Sequence, residues 1–358
     1  MRAFEHRTVA SAEEAVAALQ SGDAGAASLI AGGADLLSLM KADLAAPTQI
    51  IDLKPARALQ GIQIGPDGAT RIGALTTLAE IERDAGLAER LPILPAAVRD
   101  AATPQLRNMA TVGGNLMQRN RCWYFRGPYE CWLKGGDQCF ARDGQNKYAA
   151  IFDDGPCVAA HPSDLAPALL ALEASVEVVG PSGVRTLALS DLISAPTAER
   201  RRETTLGPAE VIVAVMIPAQ PTGARGVYLK LMDRQAWAYA LVSAAAQVTL
   251  ADGHVARARL ALGGVANAPR RALAAEAVVE GQRLTPELAA QVGEQAVHDA
   301  TPLAHNGYKV QMARELVRRA LLQAAGMEWY PAPPGDTIRP DLLRSMTRIS
   351  KREEQAHR

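Results

Sequence analysis

Apolar positions in the first 55 residues follow two rhythms. Ser11 followed by Glu14 has the form of a capping box, and Ala15, Val16, Ala18 and Leu19 then line one helical face, predicting a helix over about 11–20. The run Ser28-Leu29-Ile30, the turn Ala31-Gly32-Gly33, the helix-spaced Leu36, Leu37, Leu39 and Met40, and the pair Ile50-Ile51 read as strand, glycine turn, helix, strand. A strand signal at Arg71-Ile72-Gly73-Ala74-Leu75 and helical patterns around 76–85 and 91–101 continue this texture. After an irregular interval, Leu165-Ala166-Pro167-Ala168-Leu169-Leu170-Ala171-Leu172 reads as a compact apolar helix capped by Ser163 or Asp164. The strand 175–179 and a Gly-Pro-Ser-Gly turn at 180–183 come next.

The Pro-rich break Ile217-Pro218-Ala219-Gln220-Pro221 predicts a boundary before a smaller C-terminal domain. That domain opens with strands over 240–250 and 254–262 about the hairpin signal Asp252-Gly253. Helices are expected over about 272–280, 285–299 and 308–325; Thr285-Pro286-Glu287 supplies a capping residue with Pro in the first turn. The last 30 residues lack periodicity and read as an arm or tail.

A chain of 358 residues is long enough for two or three domains. Lys plus Arg and Asp plus Glu each number 38, so no net field draws the molecule to nucleic acid or to an anionic membrane. The N-terminus has no apolar core of signal-peptide length, and nowhere do eighteen apolar residues run together, so a cytoplasmic location is expected.

The irregular interval holds every cysteine of the chain: Cys122, Cys131, Cys139 and Cys157. Four thiolates together are the ligand set of a tetrahedral zinc or of an iron–sulfur cluster. No Cys-x-x-Cys pair is present, so spacing alone leaves the metal open. Two disulfides confined to a tenth of a core-rich chain would be an odd use of them. Eight of the fifteen aromatic residues lie in the same interval, from Trp123 to Phe152, either to exclude water from a cluster or to dock the segment on its neighbours. Arg121, Arg126, Lys134 and Arg142 either offset thiolate charge or are solvated. His161 reads as structural.

Ile30-Ala31-Gly32-Gly33-Ala34-Asp35 lies between strand and helix, where backbone N–H groups can receive a phosphate. Met109-Ala110-Thr111-Val112-Gly113-Gly114-Asn115 forms a second such loop. Two loops of this kind can clasp the diphosphate of a dinucleotide from opposite sides, with Thr111 adding a hydroxyl.

Leu29 to Leu37 with Met40-Lys41, Gln105-Leu106-Arg107-Asn108, the second loop through Leu116, Ser163-Asp164-Leu165-Ala166-Pro167-Ala168, Lys230 with Arg234, and Leu260-Ala261-Leu262-Gly263-Gly264-Val265 occur in order. In these motifs the chain resembles the FAD subunits of molybdenum hydroxylases, the xanthine dehydrogenase and aldehyde oxidoreductase family. The resemblance implies an α+β fold: a vanillyl-alcohol-oxidase (PCMH)-type FAD-binding domain of two α/β subdomains, 1–55 and 56–218. A C-terminal αβ domain of the CO dehydrogenase flavoprotein type over 222–326 and an extended tail over 327–358 complete it.

It further implies that Ser28, Leu29, Ile30, Ala31, Gly32, Gly33, Ala34, Asp35, Leu36 and Thr111 hold the FAD pyrophosphate, with Gly114 and Asn115 completing the second loop. Asp164 would bond ribityl or ribose hydroxyls, and backbone near Ile212 and the Lys230 ammonium would approach the flavin. A cation there would favour the anionic reduced flavin.

The cysteines lie where a subset of the family carries an iron–sulfur insertion, here about 118–160. The periplasmic aldehyde oxidoreductase FAD subunit and the 4-hydroxybenzoyl-CoA reductase β subunit belong to that subset. The resemblance thus implies one 4Fe-4S cluster on Cys122, Cys131, Cys139 and Cys157. Expected partners are a large subunit with the molybdenum cofactor, a small subunit with 2Fe-2S clusters, and an external electron acceptor. The expected reaction is aldehyde oxidation. Alternatives are the FAD subunit of a hydroxybenzoyl-CoA reductase-like enzyme and a zinc-stapled nucleotide-binding structural subunit. Co-export on a partner's signal would make the location periplasmic.

Overall fold

The computed structural model describes residues 1–21, 26–234 and 237–329. The greater part of the expected tail, 330–358, lies outside the described residues. Among the described residues, three sheets organise the molecule. The first is parallel and ordered Glu5–Thr8, Gln49–Asp52, Ala27–Ile30, so the strand latest in sequence sits in the middle. Parallel neighbours need crossovers, and the helices Ala12–Gln20 and Leu36–Lys41 lie in these connections. At the start of the first helix the Ser11 hydroxyl accepts from the Glu14 amide at 3.2 Å, while the Glu14 carboxylate reaches back to the Ala10 amide at 2.8 Å. The expected capping box thus closes one residue early.

The second sheet is antiparallel and ordered Ile62–Ile64, Thr70–Gly73, Val211–Ile217, Ser175–Gly180, Gly183–Ala188. Its central strand is apolar throughout and nearly all buried, as a strand covered on both faces requires. Val211 and Val213 pack towards the helix Ala12–Gln20, whereas Ile212, Val215 and Ile217 join the core built by Leu78–Arg83, Ile93–Arg99 and Leu165–Ala171. The register shift opposite Glu177 and Val178 supplies the change of phase.

The third sheet is ordered Arg270–Arg271, His254–Gly263, Val242–Ala251, Arg225–Leu231. Asp252 and Gly253 both have positive φ, 50° and 77°, the geometry of a two-residue turn that matches strand twist. Alternation assigns the two faces. Ala244, Ala246 and Val248 pack with the helices Leu273–Val279, Pro286–Gln295 and Tyr308–Ala324, while Tyr228, Ala245 and Ala261 join the core around Leu165–Ala171.

The cysteine-bearing segment runs between these layers with two short helical turns, Trp123–Arg126 and Trp132–Lys134. Its aromatics divide by role. Phe125 and Trp132 are buried beside Cys131 and Cys157, Tyr124, Tyr129 and Phe140 pack ring against ring, and Phe152 enters the C-terminal core with Ile151. Lys309, almost fully buried, donates to the carbonyls of Tyr148, Ala149 and Gly264, pinning the segment to the third sheet. Burial pushes this ammonium down to about 7.

Candidate functional site

Both glycine loops open on one cavity of about 490 Å³. Ser28 to Leu36, Thr111, Gly114, Asn115, Asp164 and Ile212 all line it; of the flavin-site residues expected from sequence, only Lys230 does not. The loops touch each other. A Cβ on Gly32 would lie 1.6 Å from the Met109 carbonyl oxygen, so only glycine permits this approach. Gly33, at φ 72°, turns the chain into the helix Leu36–Lys41.

The loops differ in what they offer a ligand. Among the described residues, the amides of Gly32, Gly33, Ala34 and Asp35 donate to no protein acceptor. In the second loop, Val112, Gly113 and Asn115 donate to the carbonyls of Thr76, Ala74 and Thr111, and Gly114 donates to the Thr111 hydroxyl at 3.2 Å. Free amides on residues that line a cavity are suited to an anion. Because Thr111 only accepts, its O–H remains able to donate.

On the same cavity, Asp164 is buried and takes two hydrogen bonds, from the Tyr228 hydroxyl at 2.7 Å and the Lys230 ammonium at 2.8 Å. Lys230 also donates to the Asp100 carbonyl at 2.8 Å and stands behind Asp164 rather than on the wall. Burial raises the Asp164 carboxyl above its ordinary range, opposed chiefly by Lys230. Asn115 is fixed by the Ser163 hydroxyl at 2.5 Å. His161 is buried, its Nδ1 accepts from the Ser163 amide at 3.4 Å, and burial pushes it down to about 4 against the pull of the Glu203 carboxylate and the Leu116 carbonyl. It is a neutral, structural imidazole at neutral pH.

Residues 2–220 match the model of the FAD binding domain in molybdopterin dehydrogenase, and residues 227–324 match the CO dehydrogenase flavoprotein C-terminal domain. The chain belongs to this FAD-binding family of molybdenum hydroxylases. It is 37% identical to the aldehyde oxidoreductase FAD-binding subunit PaoB of Escherichia coli strain K12, over 90% of this chain and 99% of that one. It is 30% identical to the nicotine 6-hydroxylase medium subunit of Paenarthrobacter nicotinovorans, over 83% and 89%. Carbon monoxide dehydrogenase from Oligotropha carboxidovorans superimposes with a TM-score of 0.73 at 28% identity, covering 91% of this chain and 99% of that chain. The fold is therefore the α+β PCMH-type FAD-binding domain with a CO-dehydrogenase-flavoprotein-like C-terminal domain, and the chain is a subunit of an oxidoreductase of this family.

The iron–sulfur expectation is corrected, and with it the zinc alternative. Among the described residues, which include all four cysteines, no group of three or more His, Cys, Asp or Glu side chains is placed to hold a metal ion. The thiols are free, and their residues pack in two adjoining apolar groups. Cys131 and Cys157 are buried beside Phe125, Trp132 and Leu133, whereas Cys139 packs against Ala141, Ala149 and Val158, and Cys122 borders both groups. Cys139 and Cys157 share a hydrogen bond that lowers the Cys139 thiol and raises that of Cys157.

Cations of the segment serve as struts. Arg121 and Arg126 donate to the Asp35 carboxylate at 2.5 and 2.9 Å, the Arg119 amide joins them at 2.8 Å, and Arg142 pairs with Asp153. Asp35 thus ties the first glycine loop to the cysteine segment through its side chain. Sequence reading missed Tyr228 and Glu203. Tyr228 precedes Lys230 by two on one strand, and period-two alternation puts both on the same face, a signal available beforehand. Glu203, which accepts from Arg119 and Asn120, carries no such local signal.

Proposed function

We propose that this chain is the FAD-binding electron-transfer subunit of a molybdenum-cofactor oxidoreductase that oxidises aldehydes. The observation carrying this reading is the presence on one cavity of four unpaired amides, Gly32 to Asp35, and the buried carboxylate of Asp164, which Lys230 holds from behind. Likeness over nearly the whole length to an aldehyde oxidoreductase FAD-binding subunit supports the choice of aldehyde.

FAD, when bound, supplies the exchange between one-electron and two-electron chemistry. The four amides would receive its pyrophosphate, the Thr111 O–H would donate to the same group, and Asn115 would be held in place by Ser163. Asp164, anchored by Tyr228 and Lys230, would accept from ribityl or ribose hydroxyls, while the backbone near Ile212 closes the wall. Lys230 acts through Asp164, which leaves the pair near neutral and its effect on the reduced flavin modest.

The partners in this reading are a small 2Fe-2S subunit that delivers electrons and a large subunit where the molybdenum cofactor meets substrate. No helix among the described residues is long and apolar enough to cross a membrane. The compartment is that of the assembled complex, cytoplasmic or reached by export on a partner's signal. The chain loaded with FAD, mixed anaerobically with both partner subunits and an aldehyde, should show bleaching of its flavin band. Omitting either partner should abolish it. A chain that takes up no flavin, or bleaching by xanthine but not by aldehyde, would reject the reading as stated.

A further inference from the structure

Three consecutive arginines, Arg200, Arg201 and Arg202, precede the strand Val211–Ile217 and meet three different fates. Arg200 knots its own loop, donating to the Ser194 hydroxyl at 2.6 Å and to the carbonyls of Ala195, Arg202 and Thr204. Arg201 reaches the cysteine segment: it donates to the carbonyls of Trp132 at 3.0 Å and Gly136 at 2.9 Å, and its guanidinium lies over the Trp132 ring. Arg202 is exposed and lines the cavity onto which both glycine loops open, the FAD cradle. Its guanidinium has no acceptor, carboxylate or ring as partner among the described residues. A solvated arginine on open surface is ordinary. This one lines a cavity, and its backbone is pinned at both groups, the amide donating to the Arg200 carbonyl at 2.9 Å and the carbonyl accepting from the Arg200 guanidinium.

The surrounding charges single Arg202 out. Four carboxylates and three guanidiniums line the cradle. Each carboxylate is taken: Asp35 by Arg121 and Arg126, Asp164 by Lys230, Glu203 by Arg119, and Glu210 by Arg185. Those pairs also occupy Arg119 and Arg121, so Arg202 is the one cation on this wall, among the described residues, left for a ligand. Its chain neighbour Glu203 accepts from the Arg119 side chain at 2.8 Å, and the Arg119 amide donates to Asp35 at 2.8 Å. Two hydrogen bonds thus link the residue beside Arg202 to the first glycine loop, whose four amides are free.

We propose that Arg202 is a cofactor-binding residue, the side-chain counter-ion of the FAD diphosphate. The inference rests on FAD occupying the cradle. Amides offer dipoles without net charge, whereas a guanidinium adds a full positive charge and can grip two phosphate oxygens at once. Because Arg202 is exposed, salt screens its attraction for the phosphates, which distinguishes it from the amide contacts.

The full chain, freed of flavin and titrated with FAD, reads this out through quenching of flavin fluorescence at several sodium chloride concentrations. Arg202→Gln should raise the Kd for FAD about tenfold at about 0.01 M salt but less than about twofold at about 1 M, where the Debye length falls to about 3 Å. Arg202→Lys should recover most of the low-salt affinity. Arg257→Gln removes the same charge from a pair with Glu173 outside the cradle, and it should match the native chain at both concentrations. Since the Arg202 side chain contacts no protein group, its replacement costs the fold no interaction. An unchanged Kd in Arg202→Gln at low salt, an equal loss at both concentrations, or the same loss in Arg257→Gln would overturn the proposal. A native chain that still binds FAD and bleaches with aldehyde and both partners leaves the electron-transfer reading standing in those cases. A native chain that binds no FAD defeats both.

Discussion

Buried ionisable side chains near the cradle are each held by a named partner, and His161 is the one whose partner is poor. Its ring is fully buried, and that burial outweighs the Glu203 carboxylate and the Leu116 carbonyl, so it titrates near 4 instead of the ordinary 6.5. Between those values the unfolded chain binds a proton that the folded chain refuses, so stability falls as pH drops from 6.5 to 4 and is fully present above 6.5. The loss reaches about 3 kcal/mol at the lower end. In His161→Leu the decline of the unfolding midpoint across this window should be shallower than in the native chain. Identical slopes in denaturation series between about pH 7.5 and about pH 5 would remove His161 from the account. Asp164 has the opposite character: burial alone would drive it neutral, but two donors, Tyr228 and Lys230, hold it.

At the level of elements, the approach of the two glycine loops is the most demanding feature. No side-chain rotation relieves a Cβ on Gly32, because the obstacle is the backbone oxygen of Met109. Gly32→Ala should therefore part the loops and weaken FAD binding by on the order of tenfold or more, with the secondary structure kept. Gly307→Ala, where an added Cβ meets nothing within 4 Å, is the control. Equal flavin retention in both variants after gel filtration would show that loop contact does not govern the cradle. The same scale explains uneven legibility in the sequence. The helix Ala12–Gln20 and the hairpin around Asp252-Gly253 announce themselves through caps and turn residues acting within a few positions. Glu5–Thr8 is a strand of four exposed residues, and its pairing with Gln49–Asp52 is invisible to any apolar pattern.

For the whole molecule, the cradle draws walls from every layer: loop 30–35 from the parallel sheet, loop 109–115 from the helical layer, Ile212 from the second sheet and Tyr239 from the loop entering the third. A ligand bound there adds contacts that join these units. FAD at about a hundred times its Kd should stabilise the fold by about 2.7 kcal/mol and raise the unfolding midpoint by a few degrees. A midpoint unmoved by saturating FAD in a thermal scan would contradict native-state binding in the cradle. The cysteine segment spans the same layers, anchored at one end by Asp35 and at the other by Lys309.

The sequence by itself determined the order of local elements, the two glycine loops and the family motifs, because periodicity, capping and turn chemistry act over a few residues. It also marked the cysteine interval as distinct, through composition alone. Only the tertiary structure decided what those groups meet. Lys230 finds Asp164 across 66 positions and the Asp100 carbonyl across 130, and Asp35 finds Arg121 across 86. Such pairings are set by how sheets stack, for which one chain's pattern holds no register. The four cysteines show the difference most plainly: sequence grouped them within 36 residues, but only packing decided that the thiols are free among apolar side chains, with Cys139 and Cys157 in hydrogen-bond contact.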